Sequence, residues 1–321
     1  MTATLPPALR ECFSRFITTE YTTIDSRQQP ITWPVTPYYA DGGPTIDVNT
    51  GLGYPKKADD AARNPRVALL FSDPTGSGLE SPPQVLVQGT AEVDDADLAA
   101  NRERYRRESA AKLPRARGMQ PPGWLRGPFD WYLSRIYVHV RPERVFAWPH
   151  GDPVAEPEVH DSHLEEVRSG HSEEPPEPHA GSAGGGVAWD SRIAELGSRH
   201  PMAVLSWVGP DGFPLAARLP VALDSPAHRI RIEALPVGLP LAEGRACLTA
   251  HAHGEDFSWQ ENFQVRGDLV ELPAKEWALV PRKLVGGLEL PKGIARIRSV
   301  VAAQRRFYLK AKARARAAGS T

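Results

Sequence analysis

The chain is 321 residues long, about twice the size of a typical domain, which indicates two domains of roughly 150 residues each. Its composition is ordinary for a globular protein, with 41% hydrophobic and 24% charged residues and a formal net charge of -1. No basic leader precedes an apolar run and no apolar stretch is long enough to cross a membrane, so we expect a cytoplasmic protein. Cys12 and Cys247 stand far apart among apolar neighbours, which argues against a disulfide or a cysteine metal site.

The first 150 residues alternate short strands with turns. A small amphipathic helix places Leu9, Cys12, Phe13 and Phe16 on one face. A charged helix is expected from a cap at Asp94 or Asp95 to about Glu108. The predicted strands are 21–25, 31–39, 45–50, 67–71, 84–93 and 136–140, the last leading to 145–148. Six short strands with few helices predict a closed or nearly closed antiparallel barrel over residues 1–150.

A polar segment over residues 151–187 is rich in Glu, Pro, His, Ser and Gly, and it is predicted to be a flexible linker. Its histidines have no spacing that fits one helix face, so we do not interpret them as metal ligands. The chain ends in a basic tail, 301–321, which could bind nucleic acid or a membrane surface, although a solvated helix end is the simpler interpretation.

Residues 188–300 repeat the pattern of the first domain. A helical stripe is followed by five strand-like stretches in the same order, and Gln-Gly-Thr-Ala-Glu at 88–92 corresponds to Arg-Gly-Asp-Leu-Val-Glu at 266–271. The predicted strands are 203–207, 215–223, 230–234, 246–250 and 263–271. The sequence therefore predicts a mainly β protein made of two tandem six-stranded antiparallel barrels that pack as a pseudo-dimer.

Two lysines break a local rule. Lys56 and Lys57 lie at the predicted start of a short helix, where the helix dipole favours anions and disfavours cations. The run Asn49-Thr50-Gly51-Leu52-Gly53 comes just before them, so a strand, a glycine-rich turn and a helix start follow one another. This order is typical of an anion cradle, and a bound phosphate would explain the lysines.

These residues resemble a known superfamily, the split β-barrel flavoproteins typified by pyridoxamine phosphate oxidase and the deazaflavin-dependent reductases. The resemblance extends from about Tyr21 to Val93 and depends on Lys56-Lys57 with Asn64-Pro65-Arg66-Val67 behind it, and on the strand that starts with Gln84-Val85. It implies two tandem split β-barrels and a cofactor that is FMN or, in second place, a deazaflavin. In the family the basic pair holds the flavin phosphate, which implies that role for Lys56 and Lys57.

The resemblance also implies roles for residues elsewhere in the first barrel. Thr32, Trp33, Pro34 and Val35 would lie along the flavin ring, Asn49 and Thr50 would reach the ribityl chain or the phosphate, and Gln84 would bond the cofactor. The chain departs from the family at Thr32 and Pro37, where the oxidases carry an arginine and a lysine, so the namesake reaction is not expected. The second barrel has Ala234-Leu235-Pro236-Val237-Gly238 in place of the cradle, which predicts one cofactor per chain.

The leading functional interpretation is an oxidoreductase that uses FMN or a deazaflavin to act on a small molecule, with no catalytic residue named by the sequence. Tyr38, Tyr39 and the segment 123–132 are candidates for substrate contacts, or for packing between the domains. The alternative is a non-catalytic flavin or heme carrier, and the candidate heme ligands would be His139, His200, His251 and His253. The tandem chain could be complete as a monomer or form a homodimer.

Overall fold

A computed structural model describes residues 5–113, 133–161, 189–194, 196–287 and 308–314. It is mainly β and consists of two similar sheets in tandem, which confirms the predicted fold class. The predicted substrate segment 123–132 and most of the predicted linker, 162–188, lie outside the described residues. Within the described ranges, no helix is both long and apolar enough to cross a membrane.

The first sheet has seven strands, arranged in the order β2-β1-β4-β5-β6-β3, with β7 beside β6. Its helices are α1 (Pro7–Arg15), α2 (Lys56–Arg63) and α3 (Leu98–Lys112). Its strands are β1 (Thr19–Ile24), β2 (Pro30–Val35), β3 (Ile46–Gly51), β4 (Arg66–Phe71), β5 (Gln84–Asp94), β6 (Arg135–Trp148) and β7 (Glu158–Asp161). An isolated bridge between Tyr38 and Asp47 links the chain after β2 to β3, so the sheet curls into a nearly closed barrel.

The second sheet is a closed barrel of six strands in the order β10-β13-β12-β11-β8-β9. Two one-turn helices, Ser191–Ala194 and Leu196–Arg199, precede it. Its strands are β8 (Met202–Val208), β9 (Pro214–Asp224), β10 (Arg229–Ile232), β11 (Gly244–His253), β12 (Gln260–Leu272) and β13 (Glu276–Gly286). Read in the opposite direction, this order reproduces the first six positions of the first sheet, with β8 in the place of β1 and β13 in the place of β6.

A matching irregularity in both sheets supports the duplication. The pairing register shifts between Gln88 and Gly89 in β5 and between Arg266 and Gly267 in β12, and each glycine faces a proline, Pro142 or Pro281. A side chain at Gly89 would place its Cβ 2.3 Å from a backbone oxygen of the facing strand, and one at Gly267 would come within 2.1 Å. Both copies therefore need glycine here because the strands approach too closely for a Cβ atom.

The structure corrects the predicted elements at three places. The cap of α3 is Asp97, whose side chain accepts from Ala99 N and Ala100 N, because β5 continues through Asp94 and delays the helix. Residues 158–161 of the predicted linker form β7, because they pair with the edge of β6. Strand β13 was not predicted, since its apolar run is short and is followed by Pro281.

Candidate functional site

The start of α2 is shaped by a tight turn after β3. The Tyr54 N–H donates to the Gly51 carbonyl at 3.0 Å, and the Thr50 hydroxyl donates to the Tyr54 carbonyl at 3.0 Å. Pro55 precedes the helix, and no side chain caps its first turn. The turn therefore leaves the N-terminal end of α2 open to an anion.

The two lysines at this helix start have different surroundings. Lys56 is exposed and pairs with Asp60 at 2.9 Å and with Asp25 at 3.7 Å. Lys57 is partly buried and its ammonium nitrogen lies 5.4 Å from the centre of the Tyr54 ring. Burial, together with the nearby charge of Arg135, lowers the pKa of Lys57 to about 8. Lys57 thus carries a charge that its surroundings destabilise.

Arg135 is the second cation of this site, and the sequence did not indicate it. It begins β6 opposite Gly51, and it is 4% exposed. Its guanidinium donates to the hydroxyls of Tyr54 at 2.7 Å and Tyr105 at 3.1 Å. A Cβ atom at Gly51 would lie 2.8 Å from the guanidinium, so the glycine allows Arg135 to approach the turn.

This arrangement fits a phosphate group. Lys57 and Arg135 are neighbouring cations, and both influences on the pKa of Lys57 lower it. The Asn49 side-chain nitrogen is buried beside the Tyr38 hydroxyl and makes no well-formed hydrogen bond with the described residues. A dianion would neutralise both cations and offer acceptors to the side-chain donors. We refer to Asn49, Thr50, Lys57 and Arg135 as the inner anion site.

The second barrel has lost the corresponding residues. The registers align Val48 with Ile232 and Pro142 with Pro281, which sets Glu233 at the position of Asn49 and Ala274 at that of Arg135. The acid Glu233 thus replaces the hydrogen-bond donor Asn49, and the methyl group of Ala274 replaces the guanidinium of Arg135.

The loop that replaces α2, residues 233–243, also contacts the first domain. The Val237 N–H donates to the Pro153 carbonyl at 2.9 Å, and the Trp148 indole donates to the Val237 carbonyl at 3.1 Å. The segment that leaves the first barrel therefore covers the place where a second cradle would lie.

The other predicted cofactor residues lie at the seam between the barrels rather than beside α2. The Thr32 hydroxyl is buried, 2.9 Å from that of Thr22 and 2.6 Å from that of Ser206. The Gln84 side-chain oxygen accepts from Arg218 N at 3.0 Å, while its nitrogen is buried without a partner among the described residues. Trp33 and Pro34 are partly buried, and Val35 packs against the first core.

The two groups of predicted residues are well separated along the first sheet. Asn49 pairs with Tyr137 and Gln84 with Trp148, so the two positions are separated by eleven residues of β6. At about 3.3 Å per residue the separation along β6 is at most about 36 Å, because the register shift at Pro142 bends the strand. The structure brings Asn49, Thr50, Lys56 and Lys57 together, and places Gln84 at the far end of β6.

A buried charged network also crosses the seam. Glu20 is fully buried, with one oxygen 2.6 Å from His251 Nε2 and 3.0 Å from Arg218, and with the other accepting from Ser72 at 2.9 Å. Burial alone would raise the pKa of Glu20, but the His251 hydrogen bond and the charge of Arg218 hold it below its usual value. The sequence did not reveal this network because the partners of Glu20, Arg218 and His251, belong to the second barrel and lie far along the chain.

The four candidate heme histidines are engaged in other contacts. His251 and His253 are buried, and the two nitrogens of His253 contact Thr18 at 3.0 Å and the Gly254 carbonyl at 3.1 Å. His139 lies 2.9 Å from Asp47, whose hydrogen bond raises the pKa of His139. His200 lies 3.3 Å from Glu261, and burial lowers the pKa of His200.

Comparisons with known proteins give similarities in fold only. No protein-family model and no curated protein sequence matches it. Solved structures to which the chain is similar include an F420 reductase with 15% identity and a TM-score of 0.33, over 44% of this chain and 98% of that one. A conserved hypothetical protein of Mycobacterium tuberculosis is 23% identical over 46% of this chain and 88% of that one, with a TM-score of 0.33.

The heme storage protein HutZ of Vibrio cholerae is 14% identical, with a TM-score of 0.31, over 45% of this chain and 94% of that one. Each of these likenesses covers less than half of this chain, about the length of one barrel. At these scores they carry no argument about what the chain binds. The functional proposal therefore depends on the geometry of the inner anion site.

Proposed function

We propose that the chain is an oxidoreductase that binds one phosphorylated flavin, FMN or a deazaflavin, and acts on a small organic molecule. The observation that carries the proposal is the pair of desolvated cations, Lys57 and Arg135, beside the open start of α2. Lys57 makes no ion pair with the described residues, and a desolvated charge of this kind is costly without an anion, so it is found mainly at functional sites. The proposal takes the protein to be cytoplasmic, acting alone or as a homodimer of tandem chains.

The residues of the chain would hold and orient the cofactor. Lys57 and Arg135 would bind its phosphate, and Asn49 would donate to a phosphate or ribityl oxygen. A bound flavin supplies hydride or electron transfer, and the protein supplies its position and electrostatic surroundings. The second barrel, with Glu233 and Ala274 at the equivalent positions, would bind no second cofactor.

The cofactor content of the purified protein tests this proposal. We expect an absorbance spectrum and a released mass that correspond to FMN or a deazaflavin, at about one per chain, and bleaching of the spectrum by a reduced nicotinamide or another reductant. Lys57→Ala should fold and lose the cofactor, whereas Lys275→Ala, in a turn of the second barrel, should keep it.

Three results would contradict the proposal or replace it. A protein that binds neither flavin nor deazaflavin on addition has no cofactor site of this kind. Unchanged occupancy in Lys57→Ala removes the phosphate assignment. A Soret band on addition of hemin, which is lost on substitution of His139 or His251, would establish the heme carrier instead.

A further inference from the structure

The C-terminal segment 308–314 docks on the first barrel. This segment is helical, Ala311 is 1% exposed within the first core, and Tyr308 packs against the same core. Arg314 pairs with Asp59 on α2 at 2.7 Å and with Asp95 at 3.5 Å. The described part of the basic tail is therefore bound to the domain that carries the inner anion site, and is not a solvated helix end.

A cleft of about 530 Å³ lies between this segment and the start of α2. It is lined by Leu52, Pro55, Lys56, Asp59, Lys310, Ala313 and Arg314. Three of these residues are cations and one is an acid, so the lining carries a net positive charge. The cleft is open to solvent and is much larger than one phosphate.

The three cations that line the cleft differ in whether an acidic side chain already pairs with them. Arg314 pairs with Asp59 and thereby holds the segment on α2, and Lys56 pairs with Asp60. Lys310 is exposed and makes no hydrogen bond or ion pair with any of the described residues. Its charge therefore lines the cleft without an ion-pair partner in the part of the chain that the structure describes.

We propose that this cleft is a second anion-binding subsite, which takes a phosphate or carboxylate that the ligand carries beyond its first phosphate. The proposal rests on the proposed function, because the two sites adjoin at neighbouring residues. Lys57 belongs to the inner anion site, and Lys56 lines the cleft. Lys310 would bind the second anionic group, and Arg314 would position the segment. The far end of the chain thus completes a site that begins on the first barrel.

Titration of the full-length protein with FMN and with FAD, which has a second phosphate, tests the subsite. We expect FAD to bind more tightly than FMN, and Lys310→Ala to weaken FAD by about two- to fivefold, as for an exposed ion pair, while FMN stays unchanged. Lys312→Ala is the matched control, because Lys312 is exposed on the same segment and its ammonium lies 5.9 Å from the centre of the Tyr308 ring, outside the cleft lining. Equal effects of Lys310→Ala on both flavins, or no effect, would overturn the proposal.

Inorganic pyrophosphate separates failure of the subsite from failure of the proposed function. If the wild-type protein binds neither flavin, the affinity of the cleft for an anion can still be measured by calorimetry with pyrophosphate. Weaker pyrophosphate binding in Lys310→Ala than in Lys312→Ala supports the subsite, and 0.5 M salt should reduce the difference in keeping with screening at a Debye length of about 3–8 Å. Identical pyrophosphate binding by both variants, or none by the wild type, would overturn it.

Discussion

Replacing Lys57 by methionine should stabilise the ligand-free protein and abolish cofactor binding. Burial and Arg135 lower the pKa of Lys57 from 10.5 to about 8, so the charged form is disfavoured in the folded state. At about 1.4 kcal/mol per pKa unit the full cost at pH 7 is at most ~3.5 kcal/mol. Because Lys57 is only partly buried, we expect a gain of about 1–2 kcal/mol in the free energy of unfolding. Urea denaturation of both ligand-free proteins at pH 7 measures it.

The pH dependence of the same experiment gives an independent check. The folded pKa lies below the unfolded value, so the unfolded chain holds more protons between pH 8 and 10.5. The stability of the wild type should therefore rise with pH through that window, and the gain from Lys57→Met should shrink. Lys56→Met is the control and should lose up to about 1 kcal/mol, because Lys56 pairs with the buried Asp60. A loss of stability in Lys57→Met would refute the argument that this charge lacks a partner.

Three further outcomes follow from other contacts. FMN affinity should fall as pH rises above 8, by up to about tenfold per pH unit, because Lys57 is then neutral in the free protein; a flat titration profile from pH 7 to 9.5 would contradict this. Glu20→Gln should cost about 3–5 kcal/mol in urea denaturation, since it leaves the Arg218 guanidinium without its carboxylate, and a cost under about 1 kcal/mol would show that the network is not needed. Gly89→Ala should cost about 1–3 kcal/mol because its Cβ would lie 2.3 Å from a backbone oxygen, while Gly286→Ala, which faces only the flexible end of Arg192, should stay near the wild type.

Local patterns predicted most of the fold. Strands were found near their expected positions because alternating apolar residues and turn signals are local properties. The sequence could not show the pairing of β3 with β6, which joins Gly51 to Arg135 across a long stretch of chain. It also could not show that β7 would form, because a polar segment becomes a strand only when an edge is available to pair with it.

The candidate site was predictable in part. Lys56 and Lys57 were detected because they violate a helix-terminus preference, which is visible in sequence. Their different burial, which gives Lys57 alone a lowered pKa, depends on how α2 packs. The docking of Lys310 and Arg314 depends on contacts between the two ends of the fold, and composition alone suggested only a charged tail.

The charged seam determines which barrel can pair with which. The registers that align Gly89 with Gly267 set Val204 at the position of Glu20, Pro34 at that of Arg218 and Ser72 at that of His251. Two copies of the first barrel would therefore bury Glu20 against proline and serine, and two copies of the second would bury Arg218 against valine. Both arrangements leave a buried charge without its partner, at a cost of several kcal/mol. The network thus selects pairing between unlike barrels, a specificity that a symmetric homodimer of either half could not have.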